Sequence, residues 1–260
     1  MNKLKNILNE YHNEERLEGK AHRSVPITEE EFLRLKDRHC SKALQGTQLY
    51  RGVEGATAKY LFIDPSKHTR VSQYTKNWYM LLMELSSEWK EYPKFSKSVI
   101  MTTKEDHSST WGREYKVYPF NGAKLGVTPN IHFWGSFDYD MDTLTSFMET
   151  VFNEFGLNLD NNETNPQKLT ELFNKIDKRD RSFKEDAKKR IWENDFYDGS
   201  EEFNEALLRL IRGDKALQIF CDLLPTHNFT LKSIGDKLPI GKEVWTDSPC
   251  ILEKIEEVSY

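Results

Sequence analysis

The sequence predicts an α+β fold in which a large helical insertion interrupts a strand-containing core. Runs rich in β-branched and aromatic residues, such as KSVIMTT and YKVYPF, precede residue 138. Between residues 138 and 224 apolar residues recur at helical spacing, and β-like sequence returns after Pro225. The predicted units are N-terminal helices in 1–48, a core formed by 49–137 and 225–260, and a helical insertion in 138–224.

Helices are predicted at three places before the insertion. Apolar residues between Leu4 and Tyr11 fall on one helical face. Thr28 followed by Glu31 has the spacing of a capping box at a helix start. The apolar stripe Trp78–Trp89 predicts a further helix, with Thr75 as its N-cap.

Strands are predicted on either side of the insertion. YKVYPF and NIHFW have strand-like composition and are separated by Gly, Asn and Pro residues. The final stretch, GKEVWTDSPCILEKIEEV, predicts a terminal hairpin around a Ser-Pro turn. Glu243 opens the first strand of that hairpin.

The composition excludes several classes of protein. The net charge of −5 argues against a broadly basic nucleic-acid surface, although a local basic groove stays open. Cys40, Cys221 and Cys250 lack the spacing of a disulfide framework or zinc site, so a reducing cytoplasm and no metal are expected. The first residues lack a signal-peptide apolar run, and no stretch approaches a membrane span.

Two arginines are candidates for binding phosphate oxygens. Arg51 precedes Gly52 in the strand-like LYRGV, and a guanidinium matches phosphate bidentately. Arg70 lies among polar residues that lead into the Trp78 helix, where a helix N-terminus also favours anions. Ordinary helix capping explains those polar residues equally well. Arg51 is favoured because it lies in a strand-like segment.

Hydroxyl and carboxylate groups form the second set of candidates. On a strand, Ser96 and Ser98 would share one face with Ile100 and could orient a nearby glutamate. Glu243, at the start of a late strand, could stabilise positive charge on a sugar ring that is losing its leaving group. Each of these signals also has a plain structural explanation.

In this order, LYRGV, SKSVIMTT and GKEVWTDSPCIL resemble the three motifs of an ADP-ribosyltransferase of the Arg–Ser–Glu type. The resemblance covers residues 49–137 and 225–258. It implies a split β-sheet core with NAD bound in a cleft between two small sheets. In it, Arg51 would bind the phosphate or ribose side, Ser98 with Ser96 would orient the glutamate, and Glu243 would favour the cationic sugar as nicotinamide leaves. The further cofactor-binding residues expected from it are Gly52, Arg70, Ser72, Asn77 and Tyr79, and Tyr79 or Trp78 would stack on nicotinamide.

The acceptor of the ADP-ribosyl group is expected to be nucleic acid, RNA before DNA or protein. Members of the family that modify protein side chains carry Glu or Gln at the position that is Gly241 here. Phe229, Lys232 and Lys237 would form the acceptor site, because cations with a stacking ring suit single strands. The resemblance points to a cytoplasmic toxin or phage-defence effector, with an antitoxin or chaperone as a further partner.

Two other functions remain open. A phage-related structural or partner-binding protein could keep a transferase-like shell without catalysis. An NAD glycohydrolase would use the same glutamate with water as the acceptor.

Overall fold

The computed structural model describes residues 24–71, 75–137, 141–193 and 201–256, so the helix predicted at Leu4–Tyr11 lies outside the described residues. The described residues form nine strands and seven α-helices, which confirms the α+β fold class. The strands are β1 Val25–Pro26, β2 Leu49–Val53, β3 Tyr60–Ile63, β4 Val99–Thr102, β5 Arg113–Pro119, β6 Lys124–Val127, β7 Thr230–Ser233, β8 Glu243–Thr246 and β9 Cys250–Lys254. The helices are α1 Glu29–His39, α2 Trp78–Leu85, α3 Met141–Glu154, α4 Pro166–Asp177, α5 Arg181–Glu193, α6 Glu201–Arg212 and α7 Ala216–Asp222.

The strands form one antiparallel sheet in the order β1-β3-β9-β5-β2-β4-β8-β6-β7. Between β2 and β4 the pairing reduces to one residue pair, Tyr50 opposite Thr102. Elsewhere along the sheet, most neighbouring strands share four or five pairs. The sheet therefore consists of two half-sheets, β1-β3-β9-β5-β2 and β4-β8-β6-β7, which separate beyond that pair.

The predicted terminal hairpin is wrong. Strand β8 pairs with β4 and β6, whereas β9 pairs with β3 and β5, so the two consecutive strands belong to different half-sheets. All four residues of β8 are buried. A strand buried in this way needs backbone partners on both edges, which a two-stranded hairpin cannot supply.

Apolar cores lie on the two faces of the sheet. Helix α1 packs with residues of both half-sheets in one core. The other core joins α2 to α3–α7 and to Trp245 of β8. Six residues of α2 are buried, including both aromatic residues at its start, which is typical of a helix surrounded by protein. The helices between residues 141 and 222 therefore share a core with the sheet.

Local sequence signals were right at some elements and wrong at others. The capping box of Thr28 and Glu31 is confirmed at α1. The NIHFW segment is not a strand: the Asn130 amide donates to the Gly135 carbonyl and Ser136 Oγ donates to the His132 carbonyl. These local hydrogen bonds fold it into turns in place of a ladder. Helix α2 begins after Asn77, not after Thr75.

No helix among the described residues is long and apolar enough to cross a membrane.

Gly126 tests how tightly the sheet packs on the helical core. It lies opposite Trp245 in the β6–β8 pair, and a Cβ there would lie 2.1 Å from Cζ2 of the indole. Gly126→Ala should lower the free energy of unfolding by about 3 kcal/mol, because the buried indole cannot move aside. Urea denaturation measures the change. Gly135→Ala is the control, since a Cβ there meets nothing within 4 Å, and equal stability of both variants would contradict this packing.

Candidate active site

Glu243 is a buried carboxylate at the first residue of β8, with 8% of its surface exposed. Its backbone N–H donates to Thr128 Oγ1 at 3.1 Å, which fixes the start of the strand. Its Oε2 accepts a hydrogen bond from the backbone N–H of Phe133 at 3.2 Å. The side chain projects from the same face of the sheet as Trp245, because residues two apart on a strand share a face.

Burial raises the pKa of Glu243 from 4.5 to about 7. The neighbouring Arg70, the Phe133 N–H and Arg51 act in the opposite direction, because each of them favours the carboxylate form. Near neutral pH both the protonated and the ionised form are therefore populated. A carboxyl group whose pKa is tuned in this way by burial and charge is typical of an active site.

Arg51 lies where the half-sheets separate. Its Nη1 donates to the carbonyl of Ile100 in β4 at 2.5 Å, across the gap that β2 leaves. Its Nε is buried without a hydrogen-bond partner among the described residues. Burial, together with the charge of the nearby Arg70, lowers the pKa of Arg51 to about 10, although Cys250 and Glu243 act in the opposite direction. Arg51 is therefore a partly buried cation whose charge acts on Glu243 and whose buried Nε is an unused donor.

Arg70 approaches the same carboxylate from the loop that follows β3. Its backbone N–H donates to the Ser96 carbonyl at 2.7 Å, and its guanidinium lies 4.9 Å from the ring centre of Phe95. Its Nη1 is buried and unpartnered among the described residues. Burial lowers the pKa of Arg70, and Glu243 raises it. The charges of both candidate arginines thus act on Glu243, and the preference for Arg51 over Arg70 remains a prediction.

Ser98 does not meet Glu243, which corrects its expected orienting role. Ser96 and Ser98 belong to a 3-10 turn that precedes β4, and Ser98 Oγ donates to the Phe95 carbonyl at 2.7 Å. In the register of β4 and β8, Thr102 is the residue opposite Glu243. Ser98 lies four residues before Thr102, about 13 Å along the chain. The sequence analysis overlooked Thr102, the first of the two threonines that end SKSVIMTT.

Residues at the start of α2 have structural roles, contrary to the expectation that they bind cofactor. Asn77 Nδ2 donates to the Glu163 carbonyl at 2.5 Å and thereby anchors the loop before α4. Tyr79 is fully buried, and its hydroxyl bonds Thr145 Oγ1 at 2.7 Å, so its ring cannot stack on a ligand. Trp78 is equally buried. Ser72 lies outside the described residues.

Trp134 is an aromatic residue at the site that the sequence analysis missed. It follows Phe133, whose N–H binds Glu243, and its ring is partly exposed. The ring centre lies 5.6 Å from that of Phe95 and 5.8 Å from that of Tyr79. Because NIHFW was expected to be a strand, its turn against the glutamate was not foreseen. Trp134 is therefore a partly exposed aromatic residue next in sequence to the N–H that binds Glu243.

The expected acceptor residues do not form one surface. Phe229 is a core residue: its ring packs edge-on to Trp89 at 5.0 Å and its carbonyl accepts from the Tyr92 hydroxyl. It cannot stack on a nucleic-acid base, because other aromatic side chains of the core already cover it. Lys232 on β7 and Lys237 after it are exposed.

Gly52, expected to bind cofactor, is buried against the carbonyl of Ser108.

Comparisons with known proteins assign no family. The sequence matches no protein-family model and no curated protein, and no solved structure matches the fold. Among the described residues, no cluster of three or more His, Cys, Asp or Glu side chains could hold a metal ion. The functional argument therefore rests on the geometry of Glu243, Arg51 and Arg70.

Glu243→Gln should change how stability depends on pH. The folded-state pKa of about 7 lies above the ordinary value of 4.5, so wild-type protein loses stability as the pH rises across this window. Glutamine keeps an oxygen for the Phe133 N–H and does not titrate. The stability of Glu243→Gln relative to wild type should therefore increase by roughly 3 kcal/mol between pH 4.5 and pH 8.

Urea denaturation of both proteins at several pH values measures this difference. A difference that does not vary with pH would show that Glu243 is not buried as a carboxyl group with a raised pKa.

Proposed function

We propose that this protein is an NAD-dependent mono-ADP-ribosyltransferase with Glu243 as its catalytic carboxylate. The observation that carries the proposal is that Arg51 and Arg70 lie near enough to buried Glu243 for their charges to lower the pKa of its carboxyl group. Two guanidinium groups and one carboxylate suit a ligand that carries both an anionic diphosphate and a ribose that becomes cationic.

The arginines would bind the diphosphate of NAD. Arg51 Nε and Arg70 Nη1 are buried donors without a hydrogen-bond partner among the described residues, and such donors carry a desolvation cost. Phosphate oxygens would accept from both, and the forked geometry of guanidinium suits them. The net positive charge of the two arginines and the glutamate also favours an anion.

Glu243 would stabilise the transition state in which the bond between nicotinamide and ribose breaks. An ionised carboxylate stabilises positive charge that develops on the ribose ring, and a preorganised site does so without reorganising water. Its pKa of about 7 leaves both forms populated at neutral pH, and the positive charge of nicotinamide would favour the ionised form. Trp134 offers a flat surface for the nicotinamide ring, a role that buried Tyr79 cannot take.

The separation of the sheet supports an ADP-ribosyltransferase-like core. Residues 49–137 and 225–260 supply most of the strands of both half-sheets, and the helices of 138–224 lie between them in sequence. Residues of 1–48 contribute β1, which extends one half-sheet. In this proposal the cleft between the half-sheets would hold NAD.

The proposed acceptor is nucleic acid, with RNA before DNA or protein. Exposed Lys232 and Lys237 support a phosphate contact on the β7 side of the molecule. In this proposal the protein acts in the cytoplasm as a toxin or phage-defence effector. An antitoxin or chaperone would be its regulator.

A second candidate function is NAD hydrolysis. The burial of Phe229 favours it, because the expected acceptor site then lacks its stacking ring. Water would replace the macromolecule, and the first bond-breaking step would be the same. A binding protein without catalysis is less well supported, because nothing in such a role needs a buried carboxylate between two arginines.

The proposal predicts that labelled NAD modifies one class of macromolecule from a cell lysate. Incubation with RNA, DNA and protein fractions, followed by mass analysis, identifies the acceptor. Glu243→Gln should lower the rate by 10²-fold or more, because a preorganised charge is lost at the reacting sugar. Glu256→Gln is the matched control, since Glu256 is an exposed carboxylate paired with Lys59.

Free ADP-ribose as the single product would favour hydrolysis. Absence of both turnover and NAD binding would contradict the enzymatic function and favour a binding role.

Thr102→Val and Ser98→Ala should have different effects. Thr102 lies opposite Glu243, so Thr102→Val should lower kcat roughly tenfold, by about 1.4 kcal/mol in transition-state energy. Its Oγ1 also accepts from the Lys104 N–H at 3.2 Å, so the variant should in addition lose some stability. Ser98→Ala removes a bond to the Phe95 carbonyl and should cost about 1 kcal/mol of stability with little change in kcat. Steady-state NAD turnover and urea denaturation separate the two effects. The reverse pattern would restore the orienting role of Ser98.

A further inference from the structure

The turn at residues 129–136 contacts Glu243 through its carboxylate, and the residue before the turn contacts Glu243 through its backbone. This 129–136 turn follows β6, the strand that pairs with β8. Within the turn, the backbone N–H of Phe133 donates to Glu243 Oε2 at 3.2 Å. The backbone N–H of Glu243 donates to the side chain of Thr128, between β6 and the turn. The start of β8 and the turn are therefore parts of one hydrogen-bonded unit.

Thr128 connects the two parts of this unit. Its backbone N–H donates to the Glu243 carbonyl at 3.0 Å, and its Oγ1 accepts from the Glu243 N–H at 3.1 Å. The same hydroxyl lies 2.5 Å from the Asn130 carbonyl and 3.0 Å from the Glu243 carbonyl, and the shorter contact takes its one proton. Thr128 is 2% exposed, so solvent has little access to these bonds.

Hydrogen bonds within the 129–136 turn fix the direction of the Phe133 N–H. The Asn130 side-chain amide donates to the Gly135 carbonyl at 2.8 Å and closes the turn. The backbone N–H of Ser136 donates to the Phe133 carbonyl at 3.0 Å. Because these bonds hold the chain on both sides of Phe133, its peptide N–H keeps one direction, towards the carboxylate.

Two titratable side chains lie on the turn or next to β8. Lys242 directly precedes β8, and its Nζ donates to the Pro129 carbonyl, which adds a second connection between β8 and the turn. His132 lies on the turn and is exposed.

The pKa of Glu243 depends on the turn through one hydrogen bond. Burial raises this pKa, whereas the charge of Arg70, the Phe133 N–H and the charge of Arg51 lower it. Of these contributions, the Phe133 N–H is the one that the 129–136 turn supplies. A change in the turn should therefore change the pKa while the two arginines stay in place.

We propose that Thr128 is a positioning residue for Glu243, because its hydroxyl joins the start of β8 to the turn whose Phe133 N–H orients the carboxylate. Its consequence for catalysis rests on the proposed function. The turn takes the orienting role that was expected of Ser98, whose hydroxyl binds the Phe95 carbonyl instead. Thr128 itself touches no substrate and acts through the turn.

The pKa of Glu243 tests this positioning without any substrate. Protein labelled with ¹³C at the glutamate carboxyl groups is titrated by NMR, and Glu243→Gln identifies the resonance by its loss. Thr128→Val keeps the size of the side chain and removes the hydroxyl. It should raise the pKa of Glu243 from about 7 to about 8, because a hydrogen bond to the carboxylate favours its ionised form.

NAD turnover tests the consequence for catalysis. Under the proposed function, kcat should rise with pH as Glu243 ionises. In Thr128→Val this rise should move to higher pH by the same amount. At pH 7 its kcat should fall about fivefold, as the ionised fraction of Glu243 falls from about one half to about one tenth.

Three further variants separate positioning from a general loss of stability. Thr128→Ser keeps the hydroxyl and should retain the wild-type pKa and kcat. Asn130→Ala opens the turn at an exposed residue and should raise the pKa of Glu243, as Thr128→Val does. Thr246→Val is the matched control, since Thr246 is a fully buried threonine of β8 whose Oγ1 donates to the Lys124 carbonyl at 2.8 Å. It should weaken the strand without changing the pKa of Glu243.

The outcomes separate this inference from the function on which its catalytic part rests. An unchanged pKa in Thr128→Val, or an equal shift in Thr246→Val, would overturn the positioning role and leave the proposed transferase intact. If Thr128→Val does not fold, an unchanged pKa in Asn130→Ala would overturn the role of the turn and with it that of Thr128. A raised pKa in both variants, with no NAD turnover by wild-type protein, would refute the proposed function and support the positioning of the carboxylate.

Discussion

The single residue pair that joins β2 to β4 is the constraint on which the site depends. Beyond Tyr50 and Thr102 the strands separate, so the Ile100 carbonyl has no neighbouring strand to bind and takes the Arg51 guanidinium instead. A buried backbone carbonyl must find a donor, and a side chain from the facing strand supplies it. The break in the sheet thus places one of the two cations of the proposed site.

The charged groups of the proposed site carry an electrostatic cost. Burial raises the pKa of Glu243 and lowers those of Arg51 and Arg70, so each charged form is disfavoured by its surroundings. The attraction between the carboxylate and the arginines offsets part of this cost. One buried N–H donor of each arginine, at Arg51 Nε and Arg70 Nη1, has no hydrogen-bond partner among the described residues. An anionic ligand would satisfy those donors and stabilise the folded state by mass action. Because an anion would relieve this electrostatic cost, the proposed site suits an anionic ligand.

The helical core contributes to the site through β8. Trp245 lies two residues after Glu243, on the same face, and its indole crosses Gly126 and donates to the Pro93 carbonyl. Phe133 packs edge-on to this indole at 5.1 Å, and the N–H of Phe133 binds Glu243. The aromatic packing that holds β8 against the helices therefore also orients the carboxylate. A substitution in this aromatic core should therefore shift the Glu243 carboxylate of the proposed site.

The sequence by itself determined the features that depend on near neighbours. The capping box at Thr28, the buried helix that starts at Trp78 and the strand opened by Glu243 follow from local hydrogen bonding and apolar spacing. Tertiary structure alone decided which strands pair and which groups meet. Alternation along a strand indicates which face is buried but not which strand pairs with it, so the predicted terminal hairpin was wrong. For the same reason Ser98 was expected opposite Glu243, where the register places Thr102. The burial of Phe229 was likewise decided by aromatic residues far away in sequence, such as Trp89 and Phe133, because packing between distant segments leaves no local pattern.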